Sequence, residues 1–488
     1  MWRARYSLAA MALSSPRPEL LAKLAARLGP HGFTVDPADI EPWTLDWRGR
    51  VRGKAVAMLS PADAAETADV VALCAEAGVA IVPQGGNTSM VAGATPPVDA
   101  SALILSTRRM RAIRSISADD GVAVAEAGVV LADLHAAAAG QGLRFPLSLG
   151  SKGSATIGGL ISTNAGGTQV LRFGPMRSLV LGIEAVLPDG SLLEGLSALR
   201  KDNRGYDLRQ LLAGAEGTLG IITAASLRLV PAFGARAVAW AGLGSPRSAL
   251  GLLRRLEAAT GEAVESFELV PDEALALVLA HIPGARSPLA GRHGWHVLIE
   301  ATAPQGAPDP AEALGGLLAA AIEEGLVEDA TIAASEAQAE ALWHLRESIS
   351  EAERIDGVAA KHDVSVPVSA MPGFILSARK QVELAFPGSR VLTFGHLGDG
   401  NVHFNVRAPA DADDNTWLEA EGEAVSRMVH DLTVAAGGSL SAEHGIGQTK
   451  LAEYARLADP ARMAAQLAIK SALDPQGIMN PGKLLPRG

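Results

Sequence analysis

Cysteine is almost absent from this sequence, because Cys74 is the only one among 488 residues. A single cysteine excludes an intrachain disulfide framework, a cysteine-rich zinc module and an iron–sulfur cluster bound by the chain's own thiolates. Long apolar runs are missing as well, since the longest candidates, such as Val70 to Val82, are interrupted by charge or glycine. No transmembrane segment is therefore predicted.

Runs of lysine and arginine are also lacking, and the formal net charge is -11. Without a basic stripe to follow a phosphate backbone, the composition argues against nucleic acid as a partner. The motifs G-x-G-x-x-G and G-x-x-x-x-G-K-[ST] do not occur, which argues against a Rossmann dinucleotide site and a P-loop. What remains is a 48% apolar chain, long enough for two or three domains and for an interior that encloses a large cofactor.

The first residues, Met1 to Leu13, combine a basic start with a small-residue site, a combination typical of a weak export signal. Their apolar part is short, so we favour an extended start with Met11 as the initiator. We expect a soluble cytoplasmic protein, with peripheral attachment to a membrane as the alternative.

A glycine pair follows a predicted helix and the short strand after it. Ser60 and the proline after it predict the start of a helix that runs through Ala64 to Ala77 and ends at Gly78. Val79 to Val82 predicts a short strand that leads into Pro83-Gln84-Gly85-Gly86-Asn87-Thr88. Glycines at such a turn expose backbone N–H groups to a phosphate, although many turns of this kind only reverse the chain.

A second glycine-rich stretch, Gly150 to Gly167, is interleaved with small hydroxyl and amide side chains. This composition is poor for the interior of a helix or strand and suits a wall of backbone donors around a polyphosphate or ring system. The alternative is a flexible linker. Linkers seldom carry apolar residues at burying intervals, as Ile157, Leu160 and Ile161 do here.

Two further motifs follow along the chain. Leu179 to Leu193 alternates and passes through Pro188-Asp189-Gly190, which predicts a β-hairpin. Asp202 to Asp207 then leads through a short helix into Gly214 to Thr223, another glycine-rich entry to a strand.

Taken together, these motifs between Pro83 and Thr223 resemble the FAD-binding domain of the vanillyl-alcohol oxidase and p-cresol methylhydroxylase flavoproteins. The resemblance implies an α+β domain in two lobes with FAD between them and the pyrophosphate against Gly85 and Gly86. Many members attach the flavin through a histidine where this chain has Asn87, so we expect non-covalent FAD. The residues that the resemblance assigns to the cofactor here are Pro83, Gly85, Gly86, Asn87, Thr88, Gly150, Gly153, Ser154, Ile157, Gly158, Gly159, Thr163, Asn164, Gly217, Gly220 and Ile222.

Nearer the end of the chain, Gly395 to Asn405 places two histidines around a glycine-flanked turn. If residues 398–401 form a four-residue loop, Leu397 pairs with Val402, His396 pairs with His403, and Asn405 shares their face. Two facing histidines can also be a structural hydrogen-bonded pair.

An acidic residue beside a histidine, Glu443-His444, lies in a later glycine-rich loop. Two histidines and one carboxylate leave open positions on a metal ion, and their nitrogen and oxygen ligands favour zinc or manganese-like ions.

These stretches and the ending Asp474 to Lys483 resemble the C-terminal half of FAD-linked D-2-hydroxyacid dehydrogenases, most of all the D-2-hydroxyglutarate dehydrogenases. The resemblance implies that His396, His403 and Glu443 ligate zinc. It also implies that His444 is the catalytic base and that Asn480 lies at the flavin. The alternative role for His444 is to support Glu443 from behind the metal.

A last group of polar residues concerns the substrate. Ser335 and Gln338 form a capping box for a helix predicted to run through Ser350, which would place Arg346 and Ser350 on one face. Lys361 begins an alternating run that predicts a strand. Such residues can simply form a solvated face. The resemblance instead implies that Arg346, Ser350 and Lys361 hold a distal carboxylate, and Asn405 is assigned to the substrate as well.

The predicted fold is therefore α+β, with an N-terminal helical segment over 1–50 and a p-cresol methylhydroxylase-type FAD-binding domain over 51–231. A substrate or cap domain with the metal-binding hairpin follows over 232–440, and 441–488 returns to the flavin. The predicted function is FAD- and metal-dependent oxidation of D-2-hydroxyglutarate, with D-lactate, D-malate or another D-2-hydroxy acid as the alternative. A non-catalytic flavin or metal carrier is the rival from another class. We expect a homodimer that passes electrons to an electron-transfer flavoprotein, a quinone or a cytochrome.

Overall fold

The structure is a computed structural model that describes residues 13–199 and 201–486. The predicted export signal before Leu13 and the alternative start at Met11 lie outside the described residues. The strands are β1 Phe33–Thr34, β2 Met58–Leu59, β3 Ala80–Gln84, β4 Ala102–Ser106, β5 Ile113–Ser117, β6 Val122–Glu126, β7 Leu143–Arg144, β8 Val180–Val186, β9 Leu192–Gly195, β10 Ile221–Arg228, β11 Val230–Pro231, β12 Phe233–Leu243, β13 Val264–Pro271, β14 Trp295–Pro304, β15 Asp329–Ile332, β16 Ala359–Ser365, β17 Arg390–His396 and β18 Asn401–Arg407.

The α-helices are α1 Pro18–Gly32, α2 Pro37–Ile40, α3 Ala64–Ala77, α4 Leu131–Ala139, α5 Ile157–Thr163, α6 Val170–Phe173, α7 Met176–Leu179, α8 Leu208–Leu212, α9 Pro246–Thr260, α10 Asp272–His281, α11 Pro310–Glu323, α12 Glu336–Glu347, α13 Ile349–Asp356, α14 Met371–Ala385, α15 Asp414–Ala435, α16 Leu451–Leu457 and α17 Pro460–Leu473. Single 3-10 turns lie at Glu41–Trp43 and Gly261–Ala263. Among the described residues, none of these helices is both long and apolar enough to cross a membrane.

The chain divides into two compact units. The first contains the described residues up to Ala165, Pro175–Pro231 and the residues from His444 onward, and the second contains Gly166–Gly174 and Ala232–Glu443. The segment Gly166–Gly174 thus belongs to the second unit, although it lies inside the range 51–231 that the sequence assigns to the FAD-binding domain. The mixture of helices and sheets confirms the predicted α+β class.

The first unit contains a four-stranded sheet in the order β1-β2-β4-β3 and an antiparallel five-stranded sheet in the order β5-β6-β10-β8-β9. Helix α3 has the predicted extent and ends at Gly78, which adopts a left-handed conformation. Its cap is Asp63, which accepts a hydrogen bond from the Glu66 N–H, so the prediction of Ser60 as the cap is wrong. The hairpin predicted around Asp189 is confirmed, because β8 and β9 pair antiparallel.

The glycine-rich stretch does form a short helix, α5, where the sequence predicts none. Ile157, Leu160 and Ile161 are buried on it, as their spacing predicts. A Cβ at Gly158 would lie 2.7 Å from the Ala127 Cβ, so the glycine lets the helix approach its neighbour closely. Helix propensity is outweighed here by this close packing.

The second unit is built on an antiparallel seven-stranded sheet in the order β15-β12-β14-β13-β17-β18-β16. Alternate residues supply the two hydrophobic cores on its faces, as Ala239 and Trp240 illustrate. Helices α9, α11, α14 and α15 contribute to the core on one face, and α10, α12 and α13 contribute to the other. Polar side chains that interrupt the second face form the site described below.

The helix predicted to run through Ser350 is divided at Ser348 into α12 and α13. Its capping box is present, because the Ser335 hydroxyl accepts from the Gln338 N–H and the Gln338 side chain accepts from the backbone before it. Arg346 is buried whereas Ser350 is exposed. The prediction that one uninterrupted helix presents both residues on one face is therefore wrong.

Candidate functional site

The two histidines of the glycine-flanked turn lie on one hairpin, β17–β18. His396 pairs with Asn401, and His403 pairs with Phe394, so the predicted pairing of the two histidines is wrong by two residues. The turn closes earlier because the Gly400 N–H donates to the His396 carbonyl at 3.1 Å. A shift of two residues keeps the same faces, since side chains alternate with a period of two. The predicted shared face is confirmed, and the imidazole ring centroids lie 5.5 Å apart.

Strand register assembles further polar residues around these histidines. Glu268 of β13 pairs with His396, and Asp363 of β16 pairs with His403. The His396 Nδ1 lies 2.6 Å from Glu268 Oε1, and the His403 Nδ1 lies 3.8 Å from Asp363 Oδ1. Asp363 Oδ2 accepts a hydrogen bond from the Glu443 N–H at 3.0 Å, which brings the distant Glu443 to the same place. The hydrogen bond to Glu268 thus orients the His396 ring, Asp363 holds the backbone at Glu443, and the same Asp363 lies beside His403.

The predicted ligand atoms of His396, His403 and Glu443 lie within 4.8 Å of one another. His396 Nε2 is 4.0 Å from Glu443 Oε1. With Nδ1 donating to Glu268, loss of the Nε2 proton would direct the Nε2 lone pair towards Glu443. Glu443 Oε1 is buried and accepts no hydrogen bond from any of the described residues. Two imidazole nitrogens and an unsatisfied buried carboxylate oxygen are donors that fit a divalent cation.

The acid–base behaviour of this cluster reflects its crowding. Burial raises the pKa of Glu443 to about 7, and the neighbouring carboxylates Asp363 and Asp399 act in the same direction. Burial opposes the protonation of His396, but the charge and hydrogen bond of Glu268 outweigh it and raise the pKa of His396 to about 9. Burial likewise opposes ionisation of Glu268, but His396 and Arg346 lower its pKa to about 2. A cation would compete with protons on both Glu443 and His396.

Three of the four predicted substrate residues, Arg346, Lys361 and Asn405, lie at the sheet face that carries the histidines, whereas Ser350 is exposed on α13. Arg346 of α12 donates to Glu268, with Nε 2.9 Å and Nη2 2.7 Å from Oε2. Lys361 and Asn405 are cross-strand neighbours, and both contact the buried Glu353 of α13. The Lys361 Nζ is 2.6 Å and the Asn405 Nδ2 is 2.9 Å from Glu353 Oε2. Each predicted substrate cation is therefore already paired with a buried carboxylate.

In the first unit, the predicted cofactor loops converge. A Cβ at Gly85 would overlap the Thr156 hydroxyl oxygen, and a Cβ at Gly86 would overlap the Ser154 carbonyl oxygen. Gly217, which has φ +71, lies against Pro83, since an added Cβ would be 3.0 Å from its ring. The three glycine-rich motifs of the sequence thus meet at the end of β3. Close backbone approach of this kind exposes N–H groups to a phosphate.

The other predicted cofactor residues surround these loops. Asn87 has φ +53, and its side chain donates to the Leu45 carbonyl at 2.9 Å. Asn164 ends α5 and accepts from the Arg177 N–H at 3.0 Å. Gly150, Gly153 and Ser154 are exposed. Thr88 follows in the β3 loop, Ile157, Gly158, Gly159 and Thr163 lie on α5, Gly220 precedes β10 and Ile222 lies within it.

The C-terminal segment packs on the same unit through a buried carboxylate. Glu216 accepts hydrogen bonds from the Ile446 and Gly447 N–H groups, each at 2.7 Å. Asn480 donates to the carbonyls of Gly93 at 3.0 Å and of Glu216 at 2.7 Å, and its Oδ1 is buried. Burial raises the pKa of Glu216, while the two N–H groups act against that rise. Glu216 therefore holds the loop that begins directly after the Glu443-His444 pair.

Comparison with known proteins places the chain in a family. The family model described as FAD linked oxidases, C-terminal domain, matches residues 234–484, and the FAD binding domain model matches residues 55–195. A Bos taurus protein named D-2-hydroxyglutarate dehydrogenase, mitochondrial, is 39% identical over 99% of this chain and 86% of its own length. A D-2-hydroxyglutarate dehydrogenase of Xanthomonas citri pv. viticola is 37% identical over 92% of this chain and 93% of its own length. The chain belongs to the FAD-linked D-2-hydroxyacid dehydrogenase family.

Members of this family are FAD-linked oxidoreductases, so FAD is the cofactor of this chain. The solved structure of p-cresol methylhydroxylase resembles this fold with a TM-score of 0.76 at 15% identity, over 95% of this chain and 96% of that one. This likeness confirms the predicted flavoprotein fold. The cytoplasmic location, the homodimer and the electron acceptor stay predictions.

Four acidic residues of these sites are missed by sequence reasoning: Glu216, Glu268, Glu353 and Asp363. The signal for Glu268 is an acid inside the apolar run Val264–Pro271, where charge is costly unless it is paired. Asp363 follows Lys361 and His362 in β16, so no apolar run marks it. No sequence pattern identifies the partner of Glu353, because that partner is set by how α13 packs on the sheet.

Proposed function

We propose that this chain oxidises D-2-hydroxyglutarate to 2-oxoglutarate, with FAD as the hydride acceptor and a divalent cation, zinc or manganese, at His396, His403 and Glu443. The observation that supports it most is the compact two-histidine, one-carboxylate donor set with its unsatisfied buried oxygen. The relatives named D-2-hydroxyglutarate dehydrogenase support the choice of substrate. Non-covalent FAD follows from Asn87 in place of an attachment histidine.

A cation in this site supplies Lewis acidity, and FAD supplies the capacity to accept the hydride from C2. The chain's own residues prepare that step. Glu268 orients His396 through the 2.6 Å contact at Nδ1, and Asp363 orients the loop of Glu443. His444, next to Glu443 in the chain, takes the proton of the 2-hydroxyl group while the C2–H bond breaks. Support of Glu443 is the alternative role for His444.

The distal carboxylate of the substrate is assigned to Arg346, Lys361 and Asn405, which share the sheet face of the histidines. A planar guanidinium and an ammonium give two charge-assisted contacts to one carboxylate. Ser350 is retained as a predicted contributor, although it is exposed on α13.

A monocarboxylic D-2-hydroxy acid such as D-lactate is the second candidate, and one observation favours it. Glu268 neutralises Arg346, and Glu353 neutralises Lys361. A second carboxylate on the substrate must therefore share cations that already have anionic partners. D-lactate carries no such group.

A panel of D-2-hydroxy acids, mixed anaerobically with the FAD-loaded protein, tests the proposal through bleaching of the flavin absorbance. Fast bleaching by D-2-hydroxyglutarate and slow bleaching by D-lactate would support a substrate with a distal carboxylate, and slow bleaching by the shorter dicarboxylate D-malate would single out the five-carbon chain. Faster bleaching by D-lactate than by D-2-hydroxyglutarate would select the second candidate. Absence of bleaching with every compound would leave a flavin or metal carrier. Metal analysis of the same preparation shows whether zinc or manganese accompanies activity.

A further inference from the structure

The segment Gly166–Gly174 is anchored inside the second unit by polar contacts to its sheet. Arg172 Nη1 lies 2.6 Å from Glu265 Oε1 and 2.9 Å from Thr302 Oγ1. The Ser266 hydroxyl donates to the Thr168 carbonyl at 2.8 Å. Glu265 is fully buried, so breaking its pair with Arg172 would leave an uncompensated charge in the interior. These contacts hold the backbone of the segment in one place.

Two residues of this segment, Gly166 and Leu171, lie against one proposed metal ligand and against the turn between the other two. A Cβ at Gly166 would lie 2.7 Å from Glu443 Oε1 and 3.2 Å from its Cγ, which leaves room for a hydrogen only. The Leu171 side chain covers the turn between the two histidine strands, because a Cβ at Gly398 would lie 2.8 Å from Leu171 Cδ1. The same segment therefore touches the carboxylate ligand and the turn that joins the strands of the two imidazole ligands.

We propose that Gly166–Gly174 is a positioning segment for the metal ligands, in which Gly166 sets the place of the Glu443 carboxylate. This inference rests on the metal site of the proposed function and adds residues outside its donor set. The segment is fixed by Arg172 and by the Thr168 carbonyl, whereas the end of the Glu443 side chain can rotate. A methyl group at position 166 therefore displaces the carboxylate rather than the segment.

Displacement of one ligand from a three-ligand set weakens the site, since metal affinity depends on ligand placement. Gly166 lacks a positive φ, so an alanine there adds the methyl group without backbone strain. Gly316 on α11 is the matched control, because no described atom lies within 4 Å of a Cβ placed there.

The experiment measures zinc affinity by chelator competition in the FAD-loaded wild type, G166A, L171A and G316A. We expect G166A to bind zinc roughly 10- to 100-fold more weakly than wild type, the range found when a residue that orients a ligand is lost. L171A should weaken binding less, because the turn loosens while Glu443 stays. G316A should bind like wild type. The melting temperature of the zinc-free forms and their FAD content should stay unchanged in G166A, which separates ligand placement from general instability.

Wild-type affinity in both G166A and L171A would overturn the inference while leaving the metal site in place. A wild-type protein that binds no zinc and no manganese would instead overturn the metal site, and this inference with it. If G166A does not fold, L171A carries the test alone, and equal affinity in that variant counts against the positioning role.

Discussion

The two polar regions of this molecule differ in what forms them, backbone in one and charged side chains in the other. The flavin region of the first unit depends on glycines, because Gly85 and Gly86 have no Cβ and leave space that the Thr156 hydroxyl and the Ser154 carbonyl fill. The histidine region of the second unit depends on charged side chains that sheet register brings together, with Glu268 beside His396. Backbone donors suit a large cofactor that spans several loops, whereas a compact set of side chains suits one small cation.

The variant with the largest expected effect disrupts the histidine region and leaves the flavin region intact. His403→Ala removes one of three donors, so zinc affinity should fall by more than roughly 100-fold, beyond the usual cost of losing a mere supporting group. Turnover should be abolished. FAD content should stay at the wild-type level, as measured by absorbance, and the exposed His344→Ala on α12 serves as the control. Full activity in a metal-free H403A protein would contradict the metal-dependent mechanism.

The next variant disrupts the flavin region and leaves the histidine region intact. Gly86→Ala forces the β3 loop away from the Ser154 carbonyl, and such overpacking costs about 1–3 kcal/mol, or roughly 5- to 150-fold in FAD affinity if the strain falls on the bound form. Fluorescence titration of the apoprotein with FAD measures this loss. Zinc affinity should be unchanged. Gly140→Ala, where the added Cβ meets only ordinary contacts, should bind FAD normally.

A variant with a smaller expected effect tests whether Lys361 binds the distal carboxylate of the substrate. Lys361→Gln keeps a donor for Glu353 but removes the positive charge, so the KM for D-2-hydroxyglutarate should rise about tenfold through loss of a charge-assisted bond. The KM for D-lactate should change less than about twofold, because it has no distal carboxylate. Steady-state kinetics of the variant and the wild type with both substrates measure these two KM values. Equal changes for both substrates would argue against a distal-carboxylate role for Lys361.

The smallest effect is a pH dependence of stability in the metal-free protein. The folded state raises the pKa of His396 from 6.5 to about 9 and that of Glu443 from 4.5 to about 7, so it binds more protons than the unfolded chain between these values. Stability is then greatest at low pH in this window and is lost as pH rises from 6 to 9. In a chelator we expect the melting temperature to fall by roughly a few degrees over this range.

The matched control for this profile is Glu268→Gln, which removes the charge that raises the pKa of His396. Its profile should be flatter between pH 7 and 9. Added zinc should reverse the wild-type trend, because the cation competes with protons and binds better as pH rises. A wild-type profile that rises with pH in the chelator would contradict the charge arrangement described here.

Much of the fold follows from patterns of short range. Helix α3 ends at the predicted Gly78, and the strand leading to the glycine pair is present as β3. The shared face of His396 and His403 is robust because a register error of two residues does not change which face a side chain occupies. The four-residue length of the loop is as predicted, but its position is one residue earlier because of the Gly400 N–H to His396 carbonyl bond, which no local pattern specifies.

The rest depends on contacts between distant segments. The division of the long helix at Ser348 accompanies two packing surfaces, one that buries Arg346 over Glu268 and one that buries Glu353 over Lys361. Glu268 is 78 residues from Arg346 in the sequence, and Lys361 reaches Glu353 only because the chain turns from α13 into β16. Charged residues usually lie at the surface, so a buried acid is identified only when its partner is known.

One feature of the first unit also bears on how the protein is made. Strand β3, which leads to the glycine pair, gains a neighbour from near the end of the chain, because the Ile81 N–H donates to the Ile478 carbonyl and the Asn480 N–H donates to the Ile81 carbonyl. During synthesis that strand edge stays open until Met479 has left the ribosome. An unpaired strand edge is prone to associate with other chains. Folding of this protein should therefore depend on chaperones late in translation. A chain cut shortly before Ile478 should aggregate rather than accumulate as a stable fragment.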